Sequence, residues 1–503
     1  MRMVKSLLLG SAAGLVAVAG AQAADLPVKA KPVEYVKVCS LYGAGFWYVP
    51  GTDTCLKIGS YVRVQTAWNA EGGGIPTGMG TAGGQQTRTD TSDLNLRTRA
   101  ALSIDLRTQT EYGTLRSYLE VGAEYTTTST PTTANAVFFD RGFIQFAGFT
   151  AGRIRSYFDI NSLAPYSYSN NRVNGDTGAS GLYGIAYTAQ FGNGVTASLS
   201  FEDGGASSNG NSNGGSSTRG HMVSNLSLTE FNLGSTSFDN AGWRFPDVVG
   251  ALRIDQAWGY AQIAAALHDA SGGLYTGAPG GCGAATNFCV TNGHPDDKIG
   301  FAVTGGFTLN DVLGLRGDQF GVQAAYSQGA AGYVTRATAA WAPYGNGNNA
   351  GFAWITDGTF INGGSVELTT VWGVNAFFQH FWNPKWRTSL WGGYVAVDYS
   401  DQQKTDMCGA AVGGPVALVR GVGIANVTNC NPDSSWFQVG SRTQWNPHPD
   451  LDIGLEVLYT KLNTAFGGQA LLPASGARPA GTYNIDDQDI VSVLFRIQRN
   501  FLP

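Results

Sequence analysis

Arg97, Arg99 and Arg107 stand at odd positions of the stretch LNLRTRAALSIDLR (94–107), together with Asn95, Ser103 and Asp105. Leu94, Leu96, Leu102, Ile104 and Leu106 take the even positions. Guanidinium groups at this spacing perform no covalent chemistry. Held together on one surface, they attract anions and repel cations. The segment LKIGSYVRVQTAW (56–68) repeats the arrangement, with Leu56, Ile58, Val62, Val64 and Trp68 opposing Lys57, Tyr61, Arg63 and Gln65. In TLRSYLEVGAEY (114–125), Leu115, Leu119 and Val121 oppose Arg116, Tyr118, Glu120 and Glu124. A repeat of two is that of an extended strand, whose alternate side chains point to opposite faces.

Other chemistry finds little support. The five histidines (His221, His268, His294, His380 and His448) are scattered, and no GxSxG, HExxH or phosphate-cradling glycine loop accompanies them. No catalytic residue, cofactor or nucleic-acid partner is expected, so a barrel lipase or protease is the weaker reading. Six cysteines form three sequence-local pairs, Cys39/Cys55, Cys282/Cys289 and Cys408/Cys430. Local pairing is the simplest of the fifteen connectivities six cysteines allow, and none of the spacings reads as a metal site. Closing the loop from Cys39 to Cys55 would stabilise the fold by about 3 kcal/mol on the chain-entropy model.

The elements that must position the charged face come next. Residues 1–23 carry a basic start (Arg2, Lys5), an apolar stretch from Leu7 to Ala19 and a small-residue site, Ala21-Gln22-Ala23. This is the layout of a secretory signal peptide, which places the mature start at Ala24. Beyond it no apolar run of ~18 residues is available for a membrane helix. A barrel strand needs only ~9–11 residues and leaves mean hydropathy near neutral. A mean hydropathy of −0.08, 70 glycines, 25 Phe, 21 Tyr and 12 Trp suit that pattern, and suit a secreted β-sandwich or sugar-binding protein too.

The order of connections separates the two. Period-two segments recur at 56–68, 94–107, 114–125, 136–146, 148–156, 181–191, 195–203, 246–255, 259–268, 297–308, 318–328, 368–380, 386–398, 433–445, 451–462 and 485–501. Short links alternate with long ones along this series, and 204–220 is low-complexity. Residues 329–367 read as one long external loop, with ATAAWAPYG as a candidate strand edge. Placing every long loop at one end is the habit of bacterial outer-membrane barrels, with short periplasmic turns and long external loops. The charged faces then line an aqueous lumen, because arginine on the lipid side near the midplane would cost about 2–4 kcal/mol. Arg63, Arg97, Arg99, Glu120 and Arg141 fall near mid-height on neighbouring strands, with Arg107 and Arg116 nearer the periplasmic rim.

Several stretches carry a family resemblance. ADLPVKAKPVEYVKVCSLYGAGFWYVPGTDTCLKIGSYVRVQ (24–65), RGFIQFAGFTAGRIRSYFDI (141–160), LYGIAYTAQFGNGVTASLSFE (182–202) and DDQDIVSVLFRIQRNF (486–501) resemble the alphaproteobacterial general porins of the rhizobial and Brucella type. The resemblance implies an all-β, 16-stranded antiparallel barrel in the Gram-negative outer membrane, surrounded by lipid and assembled as a homotrimer. It further implies passive passage of small hydrophilic solutes and ions, with a solute-selective (sugar or anion) porin, an adhesin or an enzyme as alternatives. The organisation it suggests is a leader at 1–23, an N-terminal segment at 24–55 and the barrel at 56–503. The family's third loop folds inward, which makes 157–180 the constriction loop here, carrying Asp159 and Asp176. Those acids would face a basic patch of Arg63, Arg97, Arg99, Arg116 and Arg141, with Glu120 among them. The chain departs from the usual terminal aromatic residue, since Leu502 and Pro503 follow Phe501.

Overall fold

In the computed structural model, the described residues are 38–68, 94–127, 135–161, 163, 165–168, 173, 175, 181–203, 221–227, 239–242, 244–275, 293–335, 349–408, 423–472 and 480–501. The leader, the 24–37 stretch and the low-complexity tract lie outside them. Sixteen strands form one closed antiparallel sheet: β1 (Thr54–Trp68), β2 (Leu94–Thr110), β3 (Gly113–Thr126), β4 (Asn135–Phe146), β5 (Phe149–Ile154), β6 (Leu182–Gly192), β7 (Val195–Glu202) and β8 (Asp247–Gln256) make one half. The other half is β9 (Gly259–Asp269), β10 (Ile299–Asn310), β11 (Gln319–Gln328), β12 (Thr370–Asn383), β13 (Trp386–Asp398), β14 (Ser434–His448), β15 (Leu451–Asn463) and β16 (Gln488–Phe501). Each strand pairs with its sequence neighbour, and β1 closes on β16 from Ser60↔Phe501 to Trp68↔Val493. Closure leaves no sheet edge in the membrane.

Hairpin turns occupy one end. Asn193-Gly194 joins β6 to β7 with both residues at positive φ (50° and 76°), the conformation a two-residue hairpin with matching twist demands. A Cβ at Gly194 would sit 1.9 Å from the Asp255 carbonyl oxygen, so only glycine fits there. Around this end Tyr112, Phe149, Phe191, Trp258, Trp382, Trp386 and Trp445 are exposed on the outer wall, an aromatic girdle at the membrane interface. Alternation along the strands follows the predicted faces: Leu94, Leu96 and Leu102 are exposed outside, while Asn95, Ala101 and Asp105 are buried inside.

Residues 329–367 depart from a simple external loop. The candidate edge 337–345 lies outside the described residues, but Phe352, Ile355 and Phe360 of the following stretch are each at most 2% exposed. Residues Gly358–Phe360 pair with Val223–Asn225 and with Glu367–Leu368, and Asn349–Ala350 pair with Gly481–Ile485. Apolar side chains of this size leave water: Phe360 packs with Val223, Ala270 and Val366, while Phe352 and Ile355 pack against the inner wall of β11–β15. Their cluster includes Ala325, Val371, Phe377, Trp391, Val395, Trp436, Leu458 and Leu462 from the strands. The lumen is therefore filled along one side.

Candidate pore constriction

The charged wall is built by β1–β4. Register sets Arg63 directly across from Arg99, Arg99 across from Glu124, and Glu120 across from Arg141. Neighbouring strands lie ~4.8 Å apart, so opposite charges on adjacent strands can meet. Arg99 Nη2 reaches Asp140 Oδ2 at 2.6 Å, and Arg97 pairs with Glu124. An irregularity between β3 and β4 leaves Asp140 without a register partner, while Phe139 beside it faces outward. Such a bulge re-aims side chains, and here it presents Asp140 and Arg141 in succession to the lumen. Nearer the turn end, Asp105 holds both Arg107 (2.8 Å) and Arg116 (3.0 Å).

Arg63 differs from its neighbours. Its Nε donates to the neutral Gln498 Oε1 at 2.8 Å, and its guanidinium lies 4.8 Å from the centre of the Tyr61 ring. The Arg97 and Arg99 side chains are each 16% exposed and Asp140 is 30% exposed, so this wall borders solvent inside the barrel. Further round the barrel, on β14 and β15, Arg442 is 2% exposed and Glu456 1%. That side is covered by the loop that leaves β5.

The loop is fastened at both ends by buried carboxylates. At the first, the Ser156 hydroxyl (2.6 Å) and Tyr157 N–H (2.9 Å) donate to Glu202 of β7. At the second, Glu456 of β15 accepts from the Ser167 hydroxyl (2.7 Å), the Trp391 indole (2.9 Å) and the Tyr168 N–H. Between them the Asn161 N–H donates to Gln323 of β11 at 3.1 Å, and Tyr166 stacks on Phe377 with ring centres 3.7 Å apart. Arg496 Nη2 donates to the Tyr168 carbonyl at 3.0 Å, and Arg442 donates to that of Pro165. A Cβ at position 454 would stand 2.1 Å from the Tyr168 hydroxyl, so Gly454 makes room for the loop. Burial pushes the Tyr166 and Tyr168 phenols well above their usual range, which keeps both as hydrogen-bond donors.

The predicted residues separate accordingly. Arg63, Arg97, Arg99, Glu120 and Arg141 come together on β1–β4, and Arg116 sits below them beside Asp105. Asp159 is buried in the loop at 7% exposure, and Asp176 lies outside the described residues. Carboxylates that meet the arginines of this wall include Asp105, Glu124 and Asp140 of the same wall. Cys39–Cys55 and Cys408–Cys430 are joined, each with Cα atoms 6.0 Å apart, whereas Cys282 and Cys289 lie outside the described residues. The loop-fastening residues Glu202, Glu456, Arg442 and Arg496 escaped the sequence reading. Their signal was the same alternation, since Arg496 stands between the outward Phe495 and Ile497.

A family model described as "Porin subfamily" matches residues 25–494. The chain is 33% identical over 267 residues to Porin Omp2b of Brucella suis, an alignment covering 51% of this chain and 64% of that protein. Against Porin Omp2b of Brucella abortus (strain 2308) it is 33% identical over 268 residues, covering 51% and 63%. The match thus spans slightly less than two thirds of these relatives. Among solved structures, the outer membrane channel DcaP of Acinetobacter baumannii superposes with a TM-score of 0.52 at 15% identity, covering 90% of this chain and 99% of that one.

Proposed function

The chain belongs to the porin subfamily, a Gram-negative outer-membrane β-barrel, and from that premise we propose that it forms a water-filled passive diffusion channel for small hydrophilic solutes and ions. The observation that carries this reading is the partly solvated guanidinium wall inside a closed barrel. Arginines gathered in a lumen have no role in holding a membrane fold together that apolar residues could not fill, but they set which ions enter. Arg63, Arg97, Arg99, Arg107, Arg116 and Arg141 outnumber Asp105, Glu120, Glu124 and Asp140 on this wall, which supports a preference for anions. The loop at 157–180, fastened through its described residues to β7, β11 and β15, narrows the bore. No enzymatic step is part of this reading. Removal of residues 1–23 and assembly as a homotrimer in outer-membrane lipid complete it, both resting on sequence and family.

Planar-bilayer recordings of the purified protein under a salt gradient test it. The reading expects long-lived conductance steps with an anion-selective reversal potential, and steps grouped in threes if protomers assemble as trimers. Folded protein that inserts without conducting would overturn the channel assignment.

A further inference from the structure

At the external end of the barrel, beside the first fastening of the constriction loop, a set of titratable groups is buried among the loops. His268 near the end of β9 directs Nδ1 at both carboxylate oxygens of Asp247, the first residue of β8 (2.9 and 3.0 Å). Its Nε2 stands 3.4 Å from Asp357, in the stretch that follows β11. An imidazole donates through both nitrogens only as the imidazolium. Asp357 in turn accepts the N–H groups of Met222 (2.8 Å) and Ala331 (2.7 Å), and the Tyr333 hydroxyl donates to Asp247 at 2.7 Å. One cationic ring thus ties the barrel rim to the segments after β7 and after β11.

A second ring sits beside it. His221, in the segment after β7, meets His268 edge-on with ring centres 5.0 Å apart and is 3% exposed. We propose that His268 and His221 form an acid-sensitive latch on the external loops: His268 holds them at neutral pH, and protonation of His221 releases the 221–227 segment.

The groups facing His221 include His268 and Asp269 of β9, Asp247 of β8 and Asp357, with Glu202 of β7 opposite Asp247 in register and Tyr333 bonded to Asp247. Burial first, and the neighbouring His268 second, depress the His221 proton affinity; Asp269, Asp247 and Asp357 pull the other way without reversing the outcome. Burial opposes ionisation of Asp357, but the His268 contact and the two amides outweigh it and hold its carboxyl below the usual range. On acidification, therefore, the latched His221 takes up its proton only below the ordinary histidine range, while the His268 contact keeps Asp357 charged. The released segment binds the proton more readily than the latched one, so latched stability falls as pH drops below the ordinary histidine value of ~6.5.

Hydrogen exchange on the intact, detergent- or bilayer-embedded protein reads the latch without reference to conduction. Between about pH 6 and about pH 5, below the ordinary histidine value so that His268 holds its proton whether latched or released, the open fraction of peptides covering 221–226 and 331–335 should rise severalfold after correction for intrinsic rates. His221→Phe should abolish that rise, and His221→Gln, which keeps polarity without titrating, should do the same if phenylalanine disturbs packing. His268→Gln should leave both segments poorly protected at either pH. Protection in the wild type that does not change with pH, or a rise that persists in both His221 variants, would overturn the latch.

Discussion

A lumenal arginine acts on ions in proportion to how little of its charge its neighbours cancel. Arg97 and Arg99 have carboxylate partners in Glu124 and Asp140, whereas Arg63 rests on the neutral Gln498. Reversing Arg63 should therefore move selectivity further than reversing Arg99, although the sequence places the two on equal terms. Arg63→Glu is expected to shift the reversal potential toward cations by more than Arg99→Glu does, with both proteins folding normally. Equal shifts would place the selective field elsewhere. The inward direction of these side chains was legible from spacing alone. Their partners were not, because Asp140 reaches Arg99 only through a bulge that period-two alternation cannot reveal.

Strand segments were the most legible part of the molecule. Alternation over ten or more residues locates a strand and both its faces, and the observed ends differ from the expected ones by a few residues. The outward leucines of β2 follow from the same rule. Leu102→Arg would put a cation on the outer wall, at a cost of about 2–4 kcal/mol near the bilayer midplane. Its refolding yield into bilayers should fall, checked by heat-dependent electrophoretic mobility; wild-type yield would contradict the assignment of faces. Short strands in the connections left no such trace. Gly358–Phe360 and Glu367–Leu368 are too brief to show a period, and their pairing partners lie far away in sequence. Phe352, Trp354 and Ile355 did carry a signal, since a run of large apolar residues in a supposed loop demands a surface to cover it.

At the scale of the whole molecule, the loop after β5 and the filled side of the lumen form one body joined through Glu456. Glu456→Leu would orphan donors on Ser167, Tyr168 and Trp391, each lost partner costing about 1–3 kcal/mol. Open-channel current noise should increase and mean conductance change, while Glu456→Gln, which retains an acceptor, should fall between that variant and wild type. A silent recording from Glu456→Leu with unaltered noise would show that the loop is held by its packing alone. The filling has a further electrical meaning. Packed side chains polarise weakly and admit no counter-ions, so the filled side of the barrel behaves as an insulator. Field lines from the guanidinium wall cannot spread into it and are concentrated along the aqueous strip that remains. A modest excess of positive charge thereby acts on every passing ion at short range, and added salt can screen it only from within that strip.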